Sequence, residues 1–271
     1  MSDDPIDVDS SQREVITINS LGVSDIIDNK LSFAALTTSS VADSYALELD
    51  AASAGHLADT ESGRTLLQYV ARCALPATHT LRVTSERQSW TFPGALGLTP
   101  EWSEGSLDES GQELLSACLL SHVNFFESEV RFSARTARLA PAEGDETAAY
   151  FYGDGAFYGN LFGDSAEKYA CKIRSNDVYD AELGEFVPAS SPYEARRICA
   201  GEDTAADCDF VFTGYCDEVC KTISPDGAQW QYSDCQGADG RSYEQVVSVW
   251  LEGEFAESCA TAPDGFTCMP E

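Results

Sequence analysis

The sequence predicts an α+β fold: two packed helices with short antiparallel strands and hairpins, followed by a disulfide-rich C-terminal half. Three observations carry that expectation. Two stretches, Thr60–Leu75 and Leu107–Val123, repeat apolar residues at helical spacing, while several shorter ones alternate with period two. Eight of the 10 cysteines fall between Cys171 and Cys268. With 43% hydrophobic and 10% aromatic residues, the 271-residue chain can bury a core in spite of a net charge of −30.

Residues 1–12 carry four Asp and few apolar side chains, and read as a solvated tether. Val15–Ile18 and Leu31–Leu36 are short apolar runs with strand character, so residues 1–40 are assigned as an acidic tether with short strands. Residues 41–170 are assigned to the α+β core. There, Thr60–Leu75 sets Leu66, Leu67, Val70, Ala71 and Ala74 on one helical face, with Arg64, Gln68 and Arg72 opposite. Pro76 ends this helix. His79–Phe92 reads as a hairpin: Leu81 and Val83 alternate before Ser85-Glu86-Arg87-Gln88, and Trp90 and Phe92 after it. The second helix opens after Leu107, where Ser110-Gly111-Gln112-Glu113 fits a capping box and Leu107 can staple the first turn. Leu114, Leu115, Cys118, Leu119 and Val123 form its apolar face. Glu129–Arg135 then alternates Val130, Phe132 and Ala134 inward with Arg131, Ser133 and Arg135 outward.

Residues 171–271 are assigned as a disulfide-rich loop and hairpin portion, either separate or continuous with the core. Charge shifts along the chain: residues 60–140 hold 9 acids and 7 bases, residues 201–271 hold 15 acids and 2 bases. Asp-Gly pairs at 154–155, 226–227, 239–240 and 264–265 mark turns. Ser224-Pro225-Asp226-Gly227 lies between Val219–Ile223 and Ala228–Tyr232, a hairpin signal. Tyr243–Leu251 is a late apolar strand, predicted to be buried on both faces.

The cysteines are Cys73, Cys118, Cys171, Cys199, Cys208, Cys216, Cys220, Cys235, Cys259 and Cys268. An even count, clustered late, predicts disulfides rather than metal ligation. One cysteine on each helix predicts a Cys73–Cys118 bridge. The other pairings stay open, since ten cysteines allow roughly 945 connectivities. Zinc is the rival explanation. Cys216 and Cys220 have ligand-like spacing, but no second pair with matching spacing and no nearby His completes a site. Cys73, His79, Cys118 and His122 make a conceivable Cys2His2 set, against which the even cysteine count favours a helix–helix disulfide beside two ordinary histidines. No metal or cofactor is therefore expected.

Disulfides predict an extracellular or outer-envelope address. The first residues, Met-Ser-Asp-Asp-Pro, carry neither a basic nor an apolar leader, which predicts that a signal peptide has been removed. The 12 Arg and 4 Lys leave an acidic, Lys-poor surface that stays soluble where salt screens its repulsion. No apolar run reaches the roughly 18 residues of a membrane-spanning helix. Nucleic acid is excluded as a partner, because its phosphates and this chain repel each other.

Common catalytic signatures are absent: no Gly-x-Ser-x-Gly elbow, no His-Glu-x-x-His, no phosphate loop. Ser165-Ala166-Glu167-Lys168 matches a Ser-x-x-Lys core without its companion motifs, a chance match. The densest feature is Tyr150–Asp164, with six aromatics, four glycines and two aspartates. Aromatic faces beside carboxylates and an amide suit sugar stacking, which makes Tyr152, Asp154, Phe157, Tyr158 and Asn160 candidate binding residues. Asp154 or Asp164 could also serve glycoside hydrolysis with a second acid. The competing reading is a glycine-punctuated bulge whose aromatics fill the core. Arg131, Arg135 and Arg138 form the one basic cluster, suited to an anion or to the protein's own surface acids.

At Phe92–Trp102 (FPGALGLTPEW), Glu113–Phe126 (ELLSACLLSHVNFF) and Gly155–Phe162 (GAFYGNLF), the chain resembles a family of secreted or lipid-anchored proteins of myxobacterial type. The resemblance spans roughly residues 60–250 and includes Cys73, Cys118 and the cysteines from Cys171 to Cys235. The family has no assigned activity, so the resemblance implies export, or a lipoprotein anchor, and nothing catalytic. The sequence departs from the anchored pattern in lacking an N-terminal lipidation cysteine, and Cys259 and Cys268 look like an added loop. The expected function is a disulfide-bonded envelope protein that binds a glycan or an envelope protein without catalysis. The alternative is an envelope hydrolase acting on polysaccharide or peptidoglycan.

Overall fold

The computed structural model describes residues 16–28, 36, 39–43, 46–49, 56–85, 88–103, 105–139, 146, 149–163, 166–174, 177–180, 185–223 and 231–255. A six-stranded sheet runs through its centre, in the order β1 (Ile16–Asn19), β6 (Val130–Arg135), β16 (Val247–Leu251), β7 (Tyr152–Asn160), β8 (Glu167–Lys172), β11 (Val211–Tyr215). Neighbours are antiparallel except β8 and β11. The sheet thus takes strands from both sides of residue 171. A four-stranded sheet joins β2 (Ser39–Asp43), β3 (Ala46–Leu49), β4 (Thr80–Thr84) and β5 (Ser89–Pro93). Smaller pieces are β9 (Asp177–Asp180) with β10 (Glu185–Ser190) and β17 (Glu254–Phe255), β12 (Lys221–Ile223) with β13 (Gln231–Ser233), and β14 (Cys235–Gln236) with β15 (Ser242–Tyr243).

Beyond the short α1 (Val23–Asp28) stand two longer helices, α2 (Glu61–Ala74) and α3 (Glu109–His122): α3 packs on one face of the central sheet against β7 and β16, and α2 packs against α3 and β5. Thr60 caps α2 by accepting the Gly63 amide at 3.0 Å. At its other end the last carbonyls would be orphaned, because Pro76 cannot continue the helix. The segment after β5 supplies the donors: Leu96 to Arg72, Leu98 to Cys73, Thr99 to Ala74, and Ala95 to Leu75, at 2.7–3.2 Å. Gly97 holds the turn that permits this, with φ at 63°.

The cap of α3 differs from the expected capping box. Asp108, two residues earlier than Ser110, accepts the Gly111 amide at 2.8 Å. A carboxylate at the positive end of the helix is the stronger acceptor. The single apolar face expected for α3 is also too narrow. Ser116, Ala117, Leu120, Ser121 and His122 are buried as well, because α3 is enclosed between α2 and β7 rather than lying on the surface.

The hairpin at β4–β5 forms in the expected place, as does the Cys73–Cys118 bridge. The late strand β16 is buried on both faces: Val247, Val249 and Leu251 join the core on the helix side, and Trp250 joins the core on the opposite side. On β6 the alternation holds but its consequence does not. Arg131 is exposed, whereas Ser133 and Arg135 are fully buried, since Tyr150 and Trp250 cover that face. Residues 1–12, Leu31–Ala35, Glu86, Arg87 and the turn 224–227 lie outside the described residues.

The face of the sheet opposite the helices carries a second core of Tyr158, Tyr169, Cys171, Cys216, Tyr232, Cys235, Tyr243 and Trp250. Among the described residues, four disulfides form: Cys73–Cys118, Cys171–Cys216, Cys199–Cys208 and Cys220–Cys235. Cys259 and Cys268 lie outside them. This many disulfides suggests an oxidising, extracytoplasmic location. No helix of the described residues is long and apolar enough to cross a membrane.

Candidate functional site

The aromatic, glycine-rich segment folds as β7, next to the centre of the sheet. All nine of its residues are buried, so Tyr152, Asp154, Phe157, Tyr158 and Asn160 face packed protein rather than solvent. Glycine recurs here because neighbours approach the strand closely. A Cβ on Gly155 would stand 2.6 Å from the Cys171 carbonyl and 2.5 Å from the Ala200 Cβ. Asp164 lies outside the described residues.

Asp154 is bound to Arg197, whose Nε donates to its Oδ2 at 2.7 Å. The same guanidinium donates to the carbonyls of Ser121 at 2.6 Å and Val123 at 3.2 Å. Phe132 and Phe157 lie 5.1 and 5.0 Å from it. Arg197 therefore ties β7 to the C-terminal end of α3, where the helix dipole favours a cation. Burial lowers the pKa of Arg197, and Asp154 opposes that shift. Chemically this carboxylate is a counter-ion.

Tyr158 reaches the opposite core. Its hydroxyl donates to the Gln236 carbonyl at 2.9 Å and pairs with Thr213 Oγ1 at 2.6 Å, and burial pushes its pKa up to about 12. Its ring packs with Tyr169 and Tyr243 at 5.6 and 5.8 Å. Asn160 Oδ1 accepts the Phe162 amide at 2.8 Å and closes a local turn.

Beside these tyrosines lies a charged cluster that sequence reasoning missed. Arg241 bonds Glu113, lies 2.6 Å from Glu109 and 3.6 Å from Glu167, and stacks 4.9 Å from the Tyr243 ring. Burial raises the pKa of Glu113 against the opposing pull of Arg241. The arrangement clamps the start of α3 to β8 and the β14–β15 hairpin. Its one signal in the sequence was a rare base in a strongly acidic stretch.

The remaining candidates separate. His122 donates from Nδ1 to the Cys118 carbonyl at 2.8 Å and sits beside the Cys73 and Cys118 sulfurs. Burial lowers its pKa to about 3, and those sulfurs are spent in a disulfide. His79 instead pairs with Thr78 at 3.0 Å, apart from that group. The arginine cluster disperses. Arg138 pairs with Glu101 at 3.0 Å, whereas Arg135, expected to face outward, is buried against Ser133, the Tyr150 carbonyl and the Trp250 ring. Lys168 of the Ser-x-x-Lys match bonds Asp209.

Among the described residues, the clearest feature facing solvent is the turn after α3. Phe125 and Phe126 are 46% and 50% exposed, with ring centroids 5.3 Å apart at 81°. Fully buried Asn124 anchors the turn: its backbone N–H donates to the Leu21 carbonyl at 2.9 Å, its Nδ2 to the Ser128 carbonyl at 2.7 Å, and its Oδ1 accepts the Phe126 amide at 3.2 Å. Glu127 completes it in the left-handed region, with φ at 50°. Ile27 is a further exposed apolar side chain on α1, which abuts the turn through Gly22 and Glu127.

No protein-family model matches this chain, and no curated protein or solved structure is significantly similar to it.

Proposed function

We propose that this is an exported or outer-envelope binding protein that engages a protein partner, without catalysis, through the Phe125–Phe126 turn. The observation that carries this reading is the rigid presentation of two adjacent aromatic rings to water. Aromatic anchors dominate protein interfaces, and ordering them in advance lowers the entropic cost of association. A turn braced by a buried asparagine meets both conditions. Glu127 and Glu129 flank the rings, and the chain carries a net charge of −30. The fitting partner surface is therefore an apolar pocket with a basic rim. Phenylalanine brings no hydroxyl or amide to a sugar, so the reading commits to protein over glycan.

The hydrolase alternative has less support. Asp154 is committed to Arg197 inside the sheet, which leaves Asp164 as its remaining carboxyl.

The test is capture from envelope material with the wild-type chain and the Phe125→Ser/Phe126→Ser variant. Recovery of a specific protein by wild type and its loss with the variant is expected. Equal capture by both, or binding on a glycan array that the variant retains, overturns the reading.

A further inference from the structure

Four cysteines remain that no role above absorbs except cross-linking. Cys171 lies in β8, Cys235 in β14, and Cys216 and Cys220 at either end of the single turn α4 (Cys216–Val219). A spacing of four puts Cys216 and Cys220 on one face of that turn. Two disulfides thereby meet: Cys171–Cys216 and Cys220–Cys235. The sulfurs of Cys171 and Cys220, which are not bonded to each other, lie 3.7 Å apart, at van der Waals contact. The Cys171, Cys220 and Cys235 sulfurs all lie within 4.8 Å of one another. Cys171, Cys216 and Cys235 are fully buried, while Cys220 is partly exposed. Cys73–Cys118 and Cys199–Cys208 are also buried, and among the described residues neither shows a contact to a third sulfur.

We propose that these four cysteines form a site of thiol–disulfide exchange, with dithiols as its substrates and Cys220 as its entry point. An incoming thiolate attacks Cys220 Sγ, the Cys220–Cys235 bond breaks, and its electron pair leaves on Cys235. The second thiolate of the dithiol attacks its own mixed-disulfide sulfur, so the dithiol departs as a disulfide and Cys220 is freed as a thiolate. That thiolate attacks Cys171 Sγ across the contact. A Cys171–Cys220 bond forms as Cys171–Cys216 breaks, and Cys216 leaves with the electron pair. Cys216 and Cys235 take up the two protons the dithiol gave to water. The dithiol has lost two electrons and two protons, and the protein has gained two thiols. Reducing equivalents thus pass from an accessible sulfur to a buried one.

The test treats the full-length oxidised chain with substoichiometric dithiothreitol under native conditions, followed by acid quench, alkylation and peptide mapping without reductant. A Cys171–Cys220 linked peptide with alkylated Cys216 and Cys235 is expected. Cys171–Cys216 should open at least about tenfold faster than the equally buried Cys199–Cys208. Two-electron-reduced molecules alkylated at Cys220 and Cys235 alone, with Cys171–Cys216 intact, overturn the proposal, as do equal opening rates. In a Cys216→Ser/Cys235→Ser variant, the remaining pair should close into a disulfide that resists alkylation. Two alkylated thiols in that folded variant count against the exchange.

Discussion

Asp154 and Arg197 meet at 2.7 Å with both side chains sealed from solvent. Arg197 spends its other donors on the Ser121 and Val123 carbonyls, so one guanidinium joins the central sheet to the end of α3. Lys172 Nζ also stands 3.7 Å from the other Asp154 oxygen, so Asp154 keeps a partner without Arg197, whereas removing the Asp154 charge leaves Arg197 buried and uncompensated, the costly case for such pairs.

The Asp154→Asn variant should therefore lose on the order of 3–5 kcal/mol of stability, measured by urea unfolding. Replacing both residues together, as Asp154→Leu/Arg197→Met, should recover most of that loss. A single variant as stable as wild type would show that the pair holds nothing together.

His122 makes stability depend on pH. Its pKa is held at about 3 by burial, against 6.5 for an unperturbed histidine. Above pH 6.5 it is neutral in both folded and unfolded chains and contributes no slope. Below that value only the unfolded chain takes up the proton, so stability falls by about 1.4 kcal/mol per pH unit towards pH 3. His122→Gln should flatten the curve between pH 6.5 and 5, where carboxylates common to both proteins cancel in the difference. Parallel curves would contradict this.

The two isolated disulfides should differ in worth. Cys73–Cys118 spans 45 residues and Cys199–Cys208 spans 9. Chain-entropy reasoning gives about 4 kcal/mol for the longer loop and about 2.6 kcal/mol for the shorter. Paired Cys→Ala variants compared by thermal unfolding should keep that order. The reverse order would place the stabilisation in native packing instead.

Gly97→Ala should cost about 1–2 kcal/mol, because φ is 63° there and a Cβ would stand 3.2 Å from Pro76. The loss should appear as faster amide exchange in the Ala95–Thr99 donors that cap α2. Unchanged exchange at those amides would separate the glycine from the cap.

How much of this was legible in the sequence divides by range. α2, the β4–β5 hairpin and the buried β16 could be read directly, because period, caps and turn residues act between neighbours in the chain. The Cys73–Cys118 bridge followed from placing one cysteine on each of two helices. Pairing Asp154 with Arg197 could not be read, since 43 residues separate them and 46 acidic residues offer too many partners. Nor could the sulfur contact between Cys171 and Cys220, 49 residues apart.

The sequence by itself determined the two longer helices, the β4–β5 hairpin, the strands β6 and β16, the sign of the charge and the supply of cysteines. Tertiary structure alone decided what each face would meet. It covered the polar face of β6 with Tyr150 and Trp250, enclosed α3 on all sides, turned the aromatic segment inward and left Phe125 and Phe126 in water. The physical reason is that alternation and helical period say which side chains share a side. Burial depends on what distant segment packs there, and that contact is settled only when the whole chain minimises its exposed apolar surface and unpaired polar groups together.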